Sequence, residues 1–265
     1  MKKWSLLIVL AISAACSVKE DRAFCPAWCV VYSDGYVAAG CKGNVTCNVA
    51  TPLQSSYEYD HREFSSFSTK GDLVLEVPRN EQLYVDVFCG VDEMDLNGAV
   101  LAIPMGMCCD RIYSGHGSVI IHGEEGETGL PLNKDYALLQ MTLAGDIPDG
   151  PLFDFRLLGN VDGYCLPGGM PHRGEFDYSP VEEPGHRYTA ILPRQLDDSL
   201  TLDIMDSKDG SLVTRQQLGR TIHELGYDWT VPDLRDIFIE IRLSGANFRI
   251  EVTAWDKTET INVIL

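Results

Sequence analysis

The chain has no long apolar run, too few cations to balance its acids, and almost no helical periodicity. Nothing in its 265 residues approaches 18 consecutive apolar positions, so the sequence offers no transmembrane helix. Lys and Arg number 21 against 39 Asp and Glu, a formal net charge of −18. That balance excludes nucleic acid and anionic lipid faces as partners and suits solubility at a crowded cell surface. Catalytic signatures are missing too. There is no G-x-S-x-G elbow, no Walker loop, and no G-x-G-x-x-G after a strand. His223-Glu224 opens like a zinc-protease helix, but the second His would fall where Tyr227 stands. Asp197-Asp198 and Glu182-Glu183 could supply the paired carboxylates of a glycosidase, ~5–9 Å apart. In a chain with 39 acids, chance adjacency explains them better. Asp206 to Gly210 has the look of a Ca²⁺ loop without the D-x-D-x-D alternation that supplies ligands, and reads as a hairpin turn. The histidines are scattered. No catalytic residue, metal site, cofactor or small-molecule substrate is expected.

What is present begins at the N-terminus. Lys2 and Lys3 precede an apolar run from Trp4 to Ile12, followed by Ser13, Ala14, Ala15 and Cys16. A nine-residue run makes ~14 Å of helix, too short for a ~30 Å hydrocarbon core. Residues 1–15 therefore read as a cleaved signal peptide. Small residues before Cys16 resemble the bacterial lipobox, which would place a lipid on Cys16 as the first mature residue, although Ser13 replaces the usual large aliphatic. Ordinary signal peptidase would cut the same bond and leave a soluble secreted protein. Lys19-Glu20-Asp21 resembles the surface-export signal of lipoproteins in gut and oral anaerobes, against the plainer reading of a solvated tether. Acyl chains contribute ~0.8 kcal/mol per buried CH₂, so a multiply acylated Cys16 would hold the chain on an outer membrane.

Removal of the first 15 residues leaves 250, room for one large β domain or two ordinary ones. Of nine cysteines, Cys16 is assigned to lipid, and an exported chain would bridge some of the other eight. Cys25-x3-Cys29 and Cys41-x5-Cys47 lack the paired C-x2-C spacing of structural zinc.

Short β-branched or alternating runs fill the mature chain: residues 27–33, 45–49, 57–67, 72–77 and 82–91, then 119–122. In the fifth run Leu83, Val85, Val87 and Cys89 share one face. Gly123 to Lys134, rich in Gly, Glu and Pro, reads as a domain boundary. Strands follow at 136–144, 153–158, 188–192 and 199–205, with Gly163 to Gly185 as a long loop. Gln216 to Leu225 is the one plausible helix, closed by Gly226. The end of the chain is the most regular: Ile237, Ile239, Ile241 and Leu243, then Phe248, Ile250, Val252 and Ala254, then Ile261, Val263 and Leu265. Many short strands and little helix predict an all-β protein of two sandwich domains in tandem. Expected spans are a lipidated tether at 16–26, an N-terminal sandwich at 27–128 and a C-terminal one at 129–265.

Collinear stretches carry a resemblance. Cys16 to Arg22 with Cys25-Pro26 and Trp28, then Val77-Pro78-Arg79 and Gly90-Val91-Asp92, are similar to the first half of the fimbrillin-family anchor subunits of type V pili. Leu192-Pro193-Arg194-Gln195, Asp198-Ser199-Leu200, Leu218-Gly219, Gly226-Tyr227-Asp228-Trp229, Leu234-Arg235-Asp236-Ile237 and Trp255 are similar to the second half. The resemblance implies two transthyretin-like sandwiches, a lipid such as palmitate at Cys16, and a place at the base of a surface fimbria. The family's Cys-Pro-Cys-Trp is altered here, since Ala27 separates Pro26 from Trp28 and Cys29 follows. An anchor held by its N-terminus has only a strand to give outward. Residues 259–265, with Ile261, Val263 and Leu265 as socket-filling side chains, are the candidate donor strand to a fimbrial shaft subunit; an ordinary C-terminal strand is the equal alternative. Limiting fibre length is a further role open to an anchor. The competing class is a glycan-binding surface lipoprotein of a polysaccharide-uptake system, using Trp229, Trp255 and Tyr227.

Overall fold

The computed structural model describes residues 25–37, 44–63, 73–145, 153–244, 247–254 and 257–261. Its first strands are β1 (Ala27–Val37), β2 (Asn44–Thr51), β3 (Gln54–Glu63), β4 (Leu73–Val77) and β5 (Gln82–Cys89). A short hairpin of β6 (Asp95–Asn97) and β7 (Val100–Ala102) precedes β8 (Tyr113–Ile120) and β9 (Glu125–Lys134). Seven of these form the path β3-β2-β5-β8-β9-β1-β4. β8 and β9 pair in register only at Tyr113–Lys134 and Ser114–Asn133, so the path folds over there into two facing layers. The alternation in β5 places Leu83, Val85, Val87 and Cys89 inward, all fully buried, against Cys29, Val31, Leu73 and Val77 of the opposite layer. Burial of such aliphatic side chains contributes roughly 1.5–3 kcal/mol each.

The second sandwich contains β10 (Tyr136–Gly145), β11 (Phe153–Cys165), β12 (Met170–Tyr178), β13 (Glu182–Glu183), β14 (Arg187–Pro193), β15 (Thr201–Asp206) and β16 (Leu212–Gln216). After these come the helix α1 (Leu218–Glu224) and the closing strands β17 (Ile237–Ser244), β18 (Asn247–Ala254) and β19 (Lys257–Ile261). One sheet runs β13-β14-β10-β17-β18-β19 and the other β16-β15-β11-β7-β6, with β12 paired to β11. Both layers meet in a core richer in aromatics: Phe155, Tyr164, Phe176, Tyr188 and Trp229. Ile237, Ile239 and Ile241 point inward from β17 while Phe238 is 39% exposed, as their alternation requires. The helix ends at Gly226, whose φ of +86° fits a C-terminal cap. The two-sandwich, all-β architecture expected from the sequence is the one observed.

Two local readings change, and one hairpin is added. Residues 125–134, read as a domain boundary, form the strand β9, which lies parallel to β1 from Trp28–Glu125 to Val37–Leu132. The chain changes sheet at Asp135, between β9 and β10. Gly163 to Gly185 is not a loop, because β12 folds back on β11 from Leu157–Tyr178 to Cys165–Met170. The hairpin β6–β7, unread in the sequence, crosses over to the second sandwich, where β7 pairs with β11 through Ala102–Gly163, Leu101–Tyr164 and Val100–Cys165.

The cysteines divide by setting. Cys89 is disulfide-bonded. Cys25 is an exposed thiol, Cys108 and Cys165 are half-buried, and Cys29 and Cys109 are buried. Burial pushes the Cys29 thiol up to about 11. Burial, then the neighbouring Asp110 and Asp135, raises that of Cys109 as well.

Candidate functional site at the seam of the sandwiches

Residues singled out by motif in the second half converge on one place. Arg194 leaves β14 at its C-terminal end, and its guanidinium is spread over several acceptors. Nε donates to Asp135 Oδ1, Nη1 to the carbonyls of Trp229 and of Val231 (2.8 Å), and Nη2 to that of Pro232 at 3.0 Å. The other oxygen of Asp135 accepts from Ser114 Oγ at 2.8 Å, and its carbonyl accepts from Tyr164 Oη at 2.7 Å. Tyr164 Oη in turn accepts from the Arg194 backbone N–H at 3.1 Å. Asp135 and Arg194 side chains are 6% and 17% exposed, so this is a nearly dry ion pair with its remaining valences met. Only a planar donor fork can serve a carboxylate and three carbonyls at once, which explains Arg rather than Lys.

The rest of the motif set supports this knot. Gly219 lies so close to Asp198 that a Cβ would sit 2.6 Å from its carbonyl oxygen. Tyr227 Oη donates to the Arg235 carbonyl at 2.7 Å, and Asp236 accepts from Leu138 N at 3.1 Å. In the first half, Asp110 Oδ2 accepts three successive backbone N–H groups, from Asp92, Glu93 and Met94, each at 2.9 Å.

A second polar contact crosses the seam. Asp86 of β5, only 1% exposed, accepts from the backbone N–H of Gly168 at 2.8 Å and faces His116 Nδ1 at 3.0 Å. The imidazole lies against Gly169, where a Cβ would come within 1.9 Å of His116 Cε1 and φ is +61°. Phe88 packs edge-on to the same ring, centroids 5.4 Å apart. Sequence reasoning had no signal for this pair, since β5 and the β11–β12 turn meet only in the folded chain. Between the two contacts opens a cavity of about 470 Å³, with walls from both sandwiches that include His116, Asn133, Gln195 and Trp229.

Cys16, Lys19, Glu20 and Asp21 lie outside the described residues, as do Val263, Leu265 and Trp255. Ile261 is the last residue of β19, in register with Ile250 of β18. Tyr227 and Trp229 are buried, packed edge-to-face at 4.6 Å, and are core rather than an exposed platform. His223 pairs with Asp198 at 3.2 Å, Glu183 with Arg187 and Glu182 with His186, so these acids are engaged locally. Asp197 accepts from Ser199, Asn160 and Arg173, and the Ser199 contact leads in lowering its carboxyl to about 2. Asp206 to Gly210 is the β15–β16 turn, with Gly210 at φ +70°. Among the described residues no group of His, Cys, Asp and Glu is arranged to hold a metal, and no helix is long and apolar enough to cross a membrane.

No family model matches the sequence, and no curated protein matches it either. Solved structures do. The fimbrial anchor protein Mfa2 from Porphyromonas gingivalis superposes with a TM-score of 0.64 at 10% identity, over 89% of this chain and 98% of its own. A candidate adhesin from Bacteroides ovatus gives 0.65 at 13% identity, over 93% and 98%. A candidate polysaccharide-binding protein from Bacteroides thetaiotaomicron gives 0.63 at 15%, over 90% and 98%. The fimbrillin-like resemblance read from the motifs is thus met at the level of architecture: the chain has the tandem-sandwich fold that these fimbrial and adhesin-like proteins share.

Proposed function

We propose that this chain is a fimbrial anchor, held in the outer membrane by lipid on Cys16 and joined to a shaft subunit through its C-terminal strand. The observation that carries the reading is the position of β19. Among the described residues it ends its sheet, hydrogen-bonded along one side to β18 by five residue pairs from Ala254–Lys257 to Ile250–Ile261. A terminal strand in that position has little to lose on leaving β18, and a row of backbone groups to offer another chain. Ile261, with Val263 and Leu265 beyond it, supplies apolar side chains at the spacing of two that strand exchange uses. Likeness to a fimbrial anchor protein along nearly the whole chain supports the same role. The acidic body keeps the molecule off the anionic membrane surface and leaves attachment to the acyl chains.

Deletion of Thr260–Leu265 should shed fibres into the medium while the protein stays on the cell. Fibres that remain attached would overturn strand donation. Cys16→Ala should release protein and fibres together, and mass analysis of the mature N-terminus should show the acyl groups.

A further inference from the structure

We propose that Met94 and Cys109, with Cys108 beside them, form a binding site for a soft monovalent metal ion, Cu(I). This inference is independent of the anchoring role and stands on where the chain places its sulfur atoms.

Of nine cysteines and seven methionines, five fall between residues 94 and 109. The fold draws this segment together. Asp110 accepts the Met94 backbone N–H at 2.9 Å, which fastens the two ends of the β6–β7 excursion to each other. Cys109 Sγ lies 4.0 Å from Met94 Sδ, and both residues are buried, at 1% and 5% exposure. Metal–thiolate bonds are about 2.3 Å long. Two sulfurs 4.0 Å apart therefore subtend about 120° at an ion held between them, the angle of a three-coordinate site. Cys108 is the neighbour for the third position, its thiol close enough to add to the upward push on the Cys109 proton. The approach to the pair is a turn, Pro104 to Met107, closed by the Met107 N–H on the Pro104 carbonyl at 3.0 Å. There Met105 is 91% exposed and Met107 41%, while Cys108 is half-buried. Soft donors thus run from solvent to core along one short segment.

The donor set chooses the ion. Thiols and thioethers select Cu(I) and are poor ligands for Mg²⁺ or Ca²⁺. Zn²⁺ takes four ligands from Cys, His, Asp and Glu, and no such group exists among the described residues. The adjacent carboxylates are engaged, Asp110 by three backbone N–H groups and Asp135 by Arg194 and Ser114. Binding exchanges the Cys109 proton for the ion; the proton leaves to water and no electron is transferred. The chain's charge of −18 draws cations toward it.

The test uses the full mature chain carrying Cys25→Ser and Cys165→Ser, so that these thiols do not compete, with methionine labelled at its methyl carbon. Ag(I), a redox-inert stand-in, is titrated in, and Cu(I) itself is added without oxygen against a competing chelator. One equivalent should shift the Met94 methyl signal, identified by its loss in Met94→Leu, and should raise the unfolding midpoint. Met94→Leu keeps the volume and removes the sulfur. Its affinity should fall about tenfold or more, with the metal-free midpoint little changed. No metal retained, metal bound with the Met94 signal unmoved, or metal bound equally by Met94→Leu would each overturn the proposal. A midpoint that falls as metal is added would overturn it too, because the ion would then prefer the unfolded chain. Zn²⁺ taken up in preference to both ions would refute the ion class.

Discussion

The two sandwiches solve the same packing problem with different means. The first is filled mainly by Val, Leu and Cys from its own strands, at inward positions that follow a period of two, with Tyr136 of β10 added at its edge. The second packs Phe155, Tyr164, Phe176 and Trp229 around a core that also takes in Phe88, Met94, Leu101, Ile103 and Ile112 from the first half of the chain. It is held at its rim by a buried ion pair rather than by apolar contact alone. The first therefore takes in one buried side chain from the second half, Tyr136 of β10, whereas the second takes in several from the first. A sequence boundary between tandem domains need not be a boundary between their cores.

The comparison breaks most visibly at Arg194. Arg194→Met leaves Asp135 buried without its cation and three carbonyls without a donor, and should cost about 3–5 kcal/mol in urea unfolding. Arg194→Lys should recover only part, because one ammonium cannot span the four acceptors. Leu101→Ala, in the borrowed hairpin, should cost about 2–5 kcal/mol, with faster hydrogen exchange in β11 of the second sandwich rather than in β2 of the first. If exchange rises in β2 instead, the hairpin belongs energetically to the first sandwich and the contrast fails. Gly169→Ala, which drives a methyl group into the His116 ring at a left-handed φ, should cost about 1–3 kcal/mol and loosen the seam.

The smallest effect separates the thiols. Cys25 should alkylate readily under native conditions, whereas Cys29 and Cys109 should react only after denaturation, being buried and short of thiolate. The sign of the pH effect follows. Both thiols hold their protons more tightly folded than unfolded, so their influence on stability is nil below the ordinary thiol range. Stability then falls as pH rises from about 9 toward 11, because the unfolded chain ionises first.

Where a strand's own alternation decides its place, the sequence was enough: β5 and β17 read correctly because one face of each is apolar throughout. It failed where the partner decides. In β9 only Leu130 and Leu132 turn inward, and Gly126 is required because Ile121 occupies the space above it. In β12 only Phe176 is buried, and Gly174 makes room for the Asp162 carboxylate. The hairpin β6–β7 did leave a trace, since Asn97-Gly98 is a strong turn signal and Gly98 has φ +62°. The motif residues at 192–195 and 226–236 were visible as motifs. Their common purpose, a knot around Arg194, was not, because Asp135 lies 59 residues away. The Asp86–Gly168 contact across the seam had no local mark at all.

The borrowed hairpin also imposes an order on biogenesis. As the chain emerges from N- to C-terminus, Met94, Leu101 and Ile103 arrive with the first sandwich, yet their partner strand, β11, ends only at Cys165. Through that interval the nascent molecule displays an unclaimed greasy finger, a ready target for holding chaperones and a point at which a stalled or truncated polypeptide would clump.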